Sequence, residues 1–374
     1  MGEPEVTVVG LGIMGSCTLW QLAARGVPAA GYDRFHPPHA HGASSGHSRL
    51  LRRLQFEGDQ YVPLADRAYA LWQQLEAESG RRLFKRTGLL IVGPPNSQLI
   101  RGARESAERC GLDHELLDTA ALRDRYPQHR VGDGEIGLLD PAAGFISPEE
   151  AVAAALQRAR ALGAAVRTGH AVQEANGRAV IAAGTWLGPL VPELASLITI
   201  ERHFFVWLPV GDPARFAPDR FPMWIRESPA TTGRAIEDSH AHRERILAFG
   251  FPCTDGSRVK VGFPVTGVPV ESPDVDRRPR PEESEMLTQA RLDAILDGVL
   301  AEPTDFSVCL YDNSPDGHFI IGSPPGRQDI TVLGGFSGHG FKHAPAVGEI
   351  AAALVTGEEP PVDVRPWSPQ RLLR

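Results

Sequence analysis

Six residues near the start of the chain, Gly10-Leu11-Gly12-Ile13-Met14-Gly15, have the spacing of a phosphate-binding turn. In such a turn the first glycine permits a tight bend, the second lets the backbone approach a pyrophosphate, and the third lets a helix pack closely on its strand. Asp33 follows a second apolar stretch, at the place where an acid binds free ribose hydroxyls. The pattern therefore predicts a dinucleotide cofactor with an unphosphorylated ribose, such as FAD or NAD.

A second glycine-rich turn lies near the other end of the chain, over 334–342. It follows a predicted buried strand, Ile330 to Leu333, and precedes a predicted helix, Ala344 to Val355. The backbone amides of such a turn, at a helix N-terminus, form a nest that binds anions. We therefore expect the two ends of the chain to meet over one cofactor.

Lysine is rare in this chain. Of its 38 basic residues only Lys85, Lys260 and Lys342 are lysine, and the others are arginine. A lysine that persists among arginines is more often placed where a compact ammonium does what a guanidinium cannot. Lys85 lies in a charged stretch and needs no such role. Lys342 ends the second glycine turn at a helix N-terminus, where the helix dipole repels cations, so an anion is expected close to it.

Length and composition favour an ordinary globular enzyme over other classes. The chain has 374 residues, 42% of them hydrophobic, which suits two domains. A net charge of −8 gives no attraction to nucleic acid or an anionic membrane. Neither a membrane span nor a signal peptide is evident, which predicts a cytoplasmic location. The four cysteines (Cys17, Cys110, Cys253 and Cys309) are far apart, so we expect neither a metal site nor a disulfide framework.

Apolar periodicity predicts the elements that position these residues. Helices are predicted over 60–79, 98–110, 119–125, 147–162 and 282–300, and strands over 6–9, 28–32, 87–93, 164–167 and 179–184. The helix at 147 should open with a capping box, Ser147-Pro148-Glu149-Glu150. From about 200 to 310 apolar residues alternate with polar or small ones, which predicts an antiparallel sheet.

Five separated motifs together resemble a known family. They are the Gly10 turn, Ser48-Arg49-Leu50-Leu51-Arg52, Lys260-Val261-Gly262-Phe263, Cys309-Leu310-Tyr311, and Gly335 through Lys342. The chain resembles, over nearly its whole length, the FAD-dependent amine oxidases of the D-amino acid oxidase superfamily, in particular the monomeric sarcosine oxidase and N-methyltryptophan oxidase family. The resemblance implies FAD bound covalently through Cys309, although from the residues alone a buried cysteine is more often inert.

The resemblance also implies roles for single residues. Lys260 would promote the reaction of reduced flavin with oxygen, because a fixed ammonium stabilises developing superoxide, and Arg49 would assist at the flavin. Arg52 and Lys342 would bind a substrate carboxylate, with Tyr311 lining that pocket. The residues implied to contact the cofactor are Gly10, Gly12, Ile13, Met14, Gly15, Asp33, Arg34, Ser44, Ser48, Val172, Gly184, Trp186, Cys309, Ser337, Gly338, His339, Gly340, Phe341 and Lys342. His339 lies between two glycines and is expected to serve the turn rather than act as a base.

The implied fold is α/β: a Rossmann-like FAD-binding domain (1–84, 143–200 and 312–374) interleaved with an antiparallel-sheet substrate domain (85–142 and 201–311). The chain also departs from the family pattern. Pro264 stands where the family often has histidine, so sarcosine is not the expected substrate. The stretch 172–179 is short, which suggests a trimmed sheet beside the adenine. A longer polar segment over 228–246 is expected near the substrate mouth and suits a bulkier substrate; its histidines lack a convincing set of metal ligands.

The expected activity is oxidation of the C–N bond of a secondary or cyclic amino acid. A hydride would pass to flavin N5, and O2 would be reduced to H2O2. The expected partners are a small-molecule amine substrate and O2, and the protein is expected to be a monomer. Three alternatives stay open. The first is a flavin dehydrogenase that passes electrons to an acceptor other than O2 or that oxidises a hydroxy acid. The others are a nicotinamide-dependent enzyme and a redox-silent flavin-binding scaffold.

Overall fold

A computed structural model of the protein describes residues 5–175, 177–227, 246–263, 267–289, 292–300 and 302–373. Its helices are α1 (Ile13–Ala24), α2 (Tyr61–Ser79), α3 (Gln98–Arg109), α4 (Thr119–Arg125), α5 (Pro148–Ala161), α6 (Leu187–Leu190), α7 (Pro281–Gln289), α8 (Leu292–Ile295) and α9 (Ala344–Thr356). Its strands are β1 (Val6–Val9), β2 (Ala29–Asp33), β3 (Arg49–Leu51), β4 (Phe84–Arg86), β5 (Leu89–Gly93), β6 (Glu115–Leu117), β7 (Ile136–Asp140), β8 (Gly144–Ile146), β9 (Ala165–Thr168), β10 (Ala179–Ile181), β11 (Thr199–Pro209), β12 (Met223–Glu227), β13 (Ile246–Phe251), β14 (Arg258–Gly262), β15 (Val268–Val270), β16 (Asp305–Asn313), β17 (Ile320–Gly322) and β18 (Ile330–Gly334).

The first sheet is a mostly parallel sheet with the strand order β17-β18-β10-β1-β2-β9. The N-terminal strand β1 pairs in parallel with β2 on one side and with β10 on the other, and β10 pairs with the C-terminal strand β18. Helix α1 is buried along almost its whole length, since it packs against both α9 and α5. Because β1 and β18 lie in one sheet with only β10 between them, the turns that follow them meet at the same sheet edge.

The second sheet is largely antiparallel and has the order β15-β11-β14-β13-β12-β5-β7-β6, with β16 also paired to β11. Successive side chains of a strand point to opposite faces. One face of β11 therefore carries Glu201, His203, Phe205 and Trp207. The other face carries Phe204, Val206 and Leu208, which pack in a buried core. The alternation predicted for this region is thus confirmed as a sheet with one core face and one face available for a site.

Most predicted elements are confirmed to within three residues at either end. The α/β fold class is confirmed as well, with the two kinds of sheet expected from the sequence. Strands of the first sheet fall inside the segments assigned to an FAD-binding domain, whereas β11 and β16 each cross the proposed limits by two residues. The domain limits themselves stay a prediction. No described helix combines the length and the apolar character that a membrane crossing needs.

The predicted helix over 282–300 is wrong at its C-terminal end. The described helical residues end at Ile295, and Leu296 and Val299 then form isolated bridges with His129 and Val210. Gly298 has φ +84°, which a right-handed helix cannot accommodate. Tertiary pairing of this segment overrides its helical periodicity.

The capping box predicted at 147–150 is also wrong, although helix α5 does begin there. Ser147 is the N-cap, but its side chain accepts no hydrogen bond from the described amides of the first turn. Glu150 does not reach back to Ser147, and its carboxylate instead accepts a hydrogen bond from Arg81 in an ion pair. The preceding carboxylate, Glu149, turns toward a loop more than one hundred residues earlier in the chain.

Candidate functional site

A cavity of about 660 Å³ extends from the N-terminal glycine turn to the aromatic face of the second sheet. Most residues predicted to contact cofactor or substrate line it: Gly10, Gly12, Ile13, Met14, Asp33, Arg34, Ser44, Arg49, Arg52, Val172, Gly184, Trp186, Tyr311, Ser337, Gly338, His339, Gly340, Phe341 and Lys342. Gly15, Ser48, Lys260 and Cys309 are not part of this lining. These four residues lie behind the cavity wall and contact residues that line it.

The N-terminal turn has the close approaches that the glycine spacing predicts. Gly10 has φ +88°, and a Cβ there would lie 2.5 Å from the carbonyl oxygen of Ala182. A Cβ on Gly15 would lie 1.8 Å from the carbonyl oxygen of Gly10. Helix α1 begins immediately after Gly12, and Ser44 Oγ accepts a hydrogen bond from the Ile13 amide at 3.1 Å. The turn thus presents a helix N-terminus to the cavity, which suits a pyrophosphate.

Asp33 ends β2 at the carboxyl edge of the first sheet. Its carboxylate accepts hydrogen bonds from the amides of Leu11 and Phe35, both at 2.8 Å, and lies 3.5 Å from His39 Nε2. Burial acts to raise the pKa of Asp33, but the hydrogen bonds from His39 and the two amides outweigh it and lower that pKa. Asp33 is therefore an anionic acceptor in the wall of the cavity and it also fixes the glycine turn through Leu11.

The same end of the cavity carries a buried donor. Trp186 Nε1 is buried, and no described group accepts a hydrogen bond from it. The Arg34 guanidinium lies 5.5 Å from the Trp186 ring centre and 4.9 Å from that of Phe35. Three features of this end of the cavity fit a dinucleotide. They are the glycine turn, where a Cβ atom would clash, the anionic acceptor Asp33, and the buried Trp186 donor, which has no partner among the described residues.

The C-terminal turn lines the same cavity as the N-terminal turn. Ser337 and Gly338 have φ +50° and +74°, and the Ser337 amide donates to the carbonyl oxygen of Asp312 at 2.9 Å. His339 Nε2 lies 3.1 Å from the carbonyl oxygen of Gly317, and its ring stacks on Phe319. This packing suits the structural role predicted for His339.

Lys260 is buried on β14, opposite Trp207 of β11. Its Nζ donates to the carbonyl oxygens of Gly46 at 2.6 Å and Ser48 at 2.9 Å, and lies 3.3 Å from Ser48 Oγ. The ring centre of Phe205 is 4.5 Å from Nζ. Burial, followed by the charge of Arg49, holds the pKa of Lys260 well below its usual value.

Arg49 connects Lys260 to Cys309. Its guanidinium donates to the carbonyl oxygens of Ser48 and Ala43, each at 3.0 Å, and lies 3.5 Å from Cys309 Sγ. Cys309 is buried on β16 directly opposite His203. Burial raises the pKa of its thiol, whereas the charges of Arg49, Lys260 and Arg277 act against that rise.

Arg52 and Lys342 do come together, and between them lies an acid that the sequence analysis did not identify. Glu57 Oε1 is 2.5 Å from Arg52 Nη2 and 3.5 Å from Lys342 Nζ. Lys342 Nζ also donates to the carbonyl oxygen of His339 at 2.8 Å, and the Arg52 guanidinium lies 3.9 Å from the ring centre of Phe56. The anion expected beside Lys342 is thus present, but it belongs to the chain itself.

The charges of this buried cluster are strongly coupled. Burial acts to raise the pKa of Glu57, but Arg52, Lys342 and His339 outweigh it and hold that pKa well below its usual value. Burial and Arg52 lower the pKa of Lys342 to about 7, against the opposing effect of Glu57. Two cations with one buried carboxylate between them form a site that a second carboxylate could enter by taking the place of Glu57.

Aromatic side chains make up much of the cavity wall: Phe56, beside Arg52, together with Phe205, Phe249, Phe251 and Phe263. The rings of Phe205 and Phe251 face Lys260 Nζ. Tyr311 stacks on His203 with ring centres 4.1 Å apart, and His203 Nε2 lies 3.0 Å from Glu201 Oε2. The alternation of β11 could have placed His203 and Phe205 on one face with the site. No sequence motif identified Glu57. The only indication of such an acid was that the predicted cations, Arg52 and Lys342, require an anion close by.

Two sequence expectations lie outside the described residues. Pro264 belongs to the undescribed stretch 264–266, and the polar segment over 228–246 lies almost entirely in 228–245.

Comparison with known proteins identifies the family. The family described as DAO, FAD dependent oxidoreductase, matches residues 5–354. Monomeric sarcosine oxidase from Streptomyces avermitilis is 34% identical, covering 98% of this chain and 97% of that protein. N-methyl-L-tryptophan oxidase from Salmonella agona is 32% identical, covering 97% of each.

Solved structures share the fold. NikD, an unusual amino acid oxidase essential for nikkomycin biosynthesis, has a TM-score of 0.82 at 23% identity, covering 99% of this chain and 98% of that one. L-proline dehydrogenase from P. horikoshii has a TM-score of 0.77 at 21% identity, covering 100% and 98%. The match over residues 5–354, together with a cavity shaped by two glycine turns and an acid, shows that the chain belongs to the FAD-dependent oxidoreductases of the DAO family.

Proposed function

We propose that this protein oxidises the C–N bond of a secondary or cyclic amino acid that carries an apolar side chain, with O2 as the electron acceptor and H2O2 as the product. The observation that carries the proposal is the pairing of Arg52 with Lys342 around one carboxylate, beside an aromatic wall and within the cavity of the two glycine turns. Relatives named for oxidation of sarcosine and of N-methyl-L-tryptophan support the amine substrate class.

The glycine turns, Asp33 and Trp186 would hold the cofactor. FAD held there would supply the two-electron redox chemistry that links oxidation of the amine to reduction of O2. Covalent attachment through Cys309 is part of this proposal. It is supported by the position of the thiol, 3.5 Å from the Arg49 guanidinium. The positive charges of Arg49 and Lys260 oppose the rise that burial causes in the thiol pKa.

The cation pair would bind and orient the substrate. A substrate carboxylate would replace Glu57 between Arg52 and Lys342, and the guanidinium fork would fix its plane. Holding the carboxylate fixes the neighbouring α-carbon and removes much of the entropy cost of bringing it to the oxidant. An anionic group on the ligand is needed to offset the cost of displacing Glu57 from the two cations.

The aromatic wall would select the side chain. Burying a phenyl group against residues such as Phe56 and Phe249 is worth about 1.5–3 kcal/mol. That energy corresponds to a preference of roughly 10- to 150-fold in kcat/KM for N-methylphenylalanine over sarcosine. Initial rates of flavin reduction with the two substrates measure this preference, and equal or reversed rates would remove the side-chain part of the proposal.

Lys260 would act on the oxygen side of the reaction. Its ammonium is fixed by two carbonyl oxygens at the rear of the cavity, where a fixed cation stabilises charge that develops on O2. Lys260→Met should slow reoxidation of the reduced enzyme by O2 far more than it slows anaerobic reduction by substrate. Lys85→Met, at an exposed lysine, is the matched control and should change neither rate.

The outcome of these experiments also separates the alternatives. Equal effects of Lys260→Met on the two half-reactions would contradict the oxygen role, and reduction without any H2O2 would favour a dehydrogenase with another acceptor. A monomeric state and a cytoplasmic location remain predictions alongside this function.

A further inference from the structure

The turn formed by Gly46, His47 and Ser48 binds Lys260 through its carbonyl oxygens and binds a second charged side chain through its amides. Gly46 and His47 both have positive φ, +97° and +65°. Their amides point at Glu149 Oε1, at 2.7 Å from Gly46 N and 3.3 Å from His47 N. The carbonyl oxygens of Gly46 and Ser48 point the other way, to Lys260 Nζ. The turn is therefore polarised, with a carboxylate on its amide side and an ammonium on its carbonyl side.

We propose that Glu149 is a positioning residue for the Lys260 ammonium, acting through the Gly46-His47-Ser48 turn. Successive amides in such a conformation form a nest for an anion, and charge-assisted hydrogen bonds are stronger than neutral ones. A positive φ is unfavourable for a residue such as His47 and persists only when its surroundings impose it. Glu149 supplies that constraint from helix α5, which lies on the far side of the turn from β14.

The charges around Lys260 also support a positioning role for Glu149. Burial and the charge of Arg49 lower the pKa of Lys260, whereas the Glu149 carboxylate acts to raise it. Removing the carboxylate should therefore release the turn and also destabilise the ammonium. Glu150, the next residue, pairs with Arg81 at the surface and provides the matched control.

The chain offers a direct spectroscopic test, because it contains only three lysines. In protein labelled with 13C at the lysine Cε, each lysine gives one resonance, and Lys260→Met identifies that of Lys260. Glu149→Gln should shift the Lys260 resonance and lower the pH at which it titrates, with Lys85 unchanged. Glu150→Gln should shift none of the signals. A Lys260 resonance that is identical in Glu149→Gln and wild type would overturn the proposal.

A kinetic cycle tests the consequence for oxygen, which rests on the proposed function. Glu149→Gln should slow reoxidation by O2 roughly tenfold, the usual scale for loss of a charged hydrogen-bond partner, with anaerobic reduction unchanged. In a Lys260→Met background the same substitution should add nothing. An equal slowing in both backgrounds would refute action through Lys260.

The two levels of failure are distinguishable. If Lys260→Met leaves reoxidation unchanged while Glu149→Gln still shifts the lysine resonance, the oxygen role fails and the positioning role stands. If Glu149→Gln does not accumulate as folded protein, Glu149→Asp withdraws the carboxylate by one methylene and is judged by the same resonance.

Discussion

Raising the pH should release a carboxylate ligand from this protein, and Lys342→Met should abolish that dependence. Burial and the Arg52 charge lower the pKa of Lys342 to about 7. Above that pH the side chain is a neutral amine and no longer attracts an anion. Glu57 does not titrate in the same range, because the neighbouring cations hold its pKa well below the usual value.

The magnitude follows from the pKa of about 7. A bound anion favours the ammonium form, so binding above this pH must take up a proton. If only the ammonium form binds, Kd rises tenfold for each pH unit above the pKa, which is about 100-fold at about pH 9, or roughly 2.7 kcal/mol. Below about pH 6 the affinity should be constant.

Phenylacetate suits the assay, because it combines a carboxylate with a ring and carries no amine that would titrate. Its affinity can be followed by the change in flavin absorbance across the pH series, in wild type, Lys342→Met and the surface control Lys85→Met. Wild type and the control should share the steep pH dependence. A flat wild-type profile, or the same slope in Lys342→Met, would refute the reasoning.

Three other predictions address attachment, the glycine turn and a buried histidine. Cys309→Ala should release its flavin on denaturation, whereas denatured wild type should stay yellow; free flavin from wild type would remove the covalent link. Gly15→Ala should lower thermal stability and FAD binding, since its Cβ would lie 1.8 Å from the Gly10 carbonyl oxygen, and wild-type melting and affinity would contradict this. Burial lowers the pKa of His129 to about 3, so the unfolded chain binds a proton below about pH 6.5 that the folded chain excludes. Urea unfolding should show stability falling with pH below that point, by up to about 1.4 kcal/mol per unit, and His129→Phe, which can keep the stack on Phe221, should reduce the slope.

Local features of the fold could be predicted from the sequence because their causes are local. The glycine spacing of the first turn reflects steric limits within a few residues, at Gly10 and Gly15. The alternation along β11 reflects the pleat of one strand, so it identifies which residues share a face without reference to any partner. The two wrong predictions, the helix end near 295 and the capping box at Ser147, both failed where a distant segment pairs with the local one.

The candidate site shows the same division. The sequence by itself determined that the chain has two glycine-rich turns, each followed by a helix, and three lysines among many arginines, because residue type and spacing encode both. Only the tertiary structure decided that Glu57 lies between Arg52 and Lys342, and that Glu149 and Lys260 bind opposite sides of one turn. Strand register and helix packing set these neighbours, and both depend on the burial of whole faces rather than on any short run of residues.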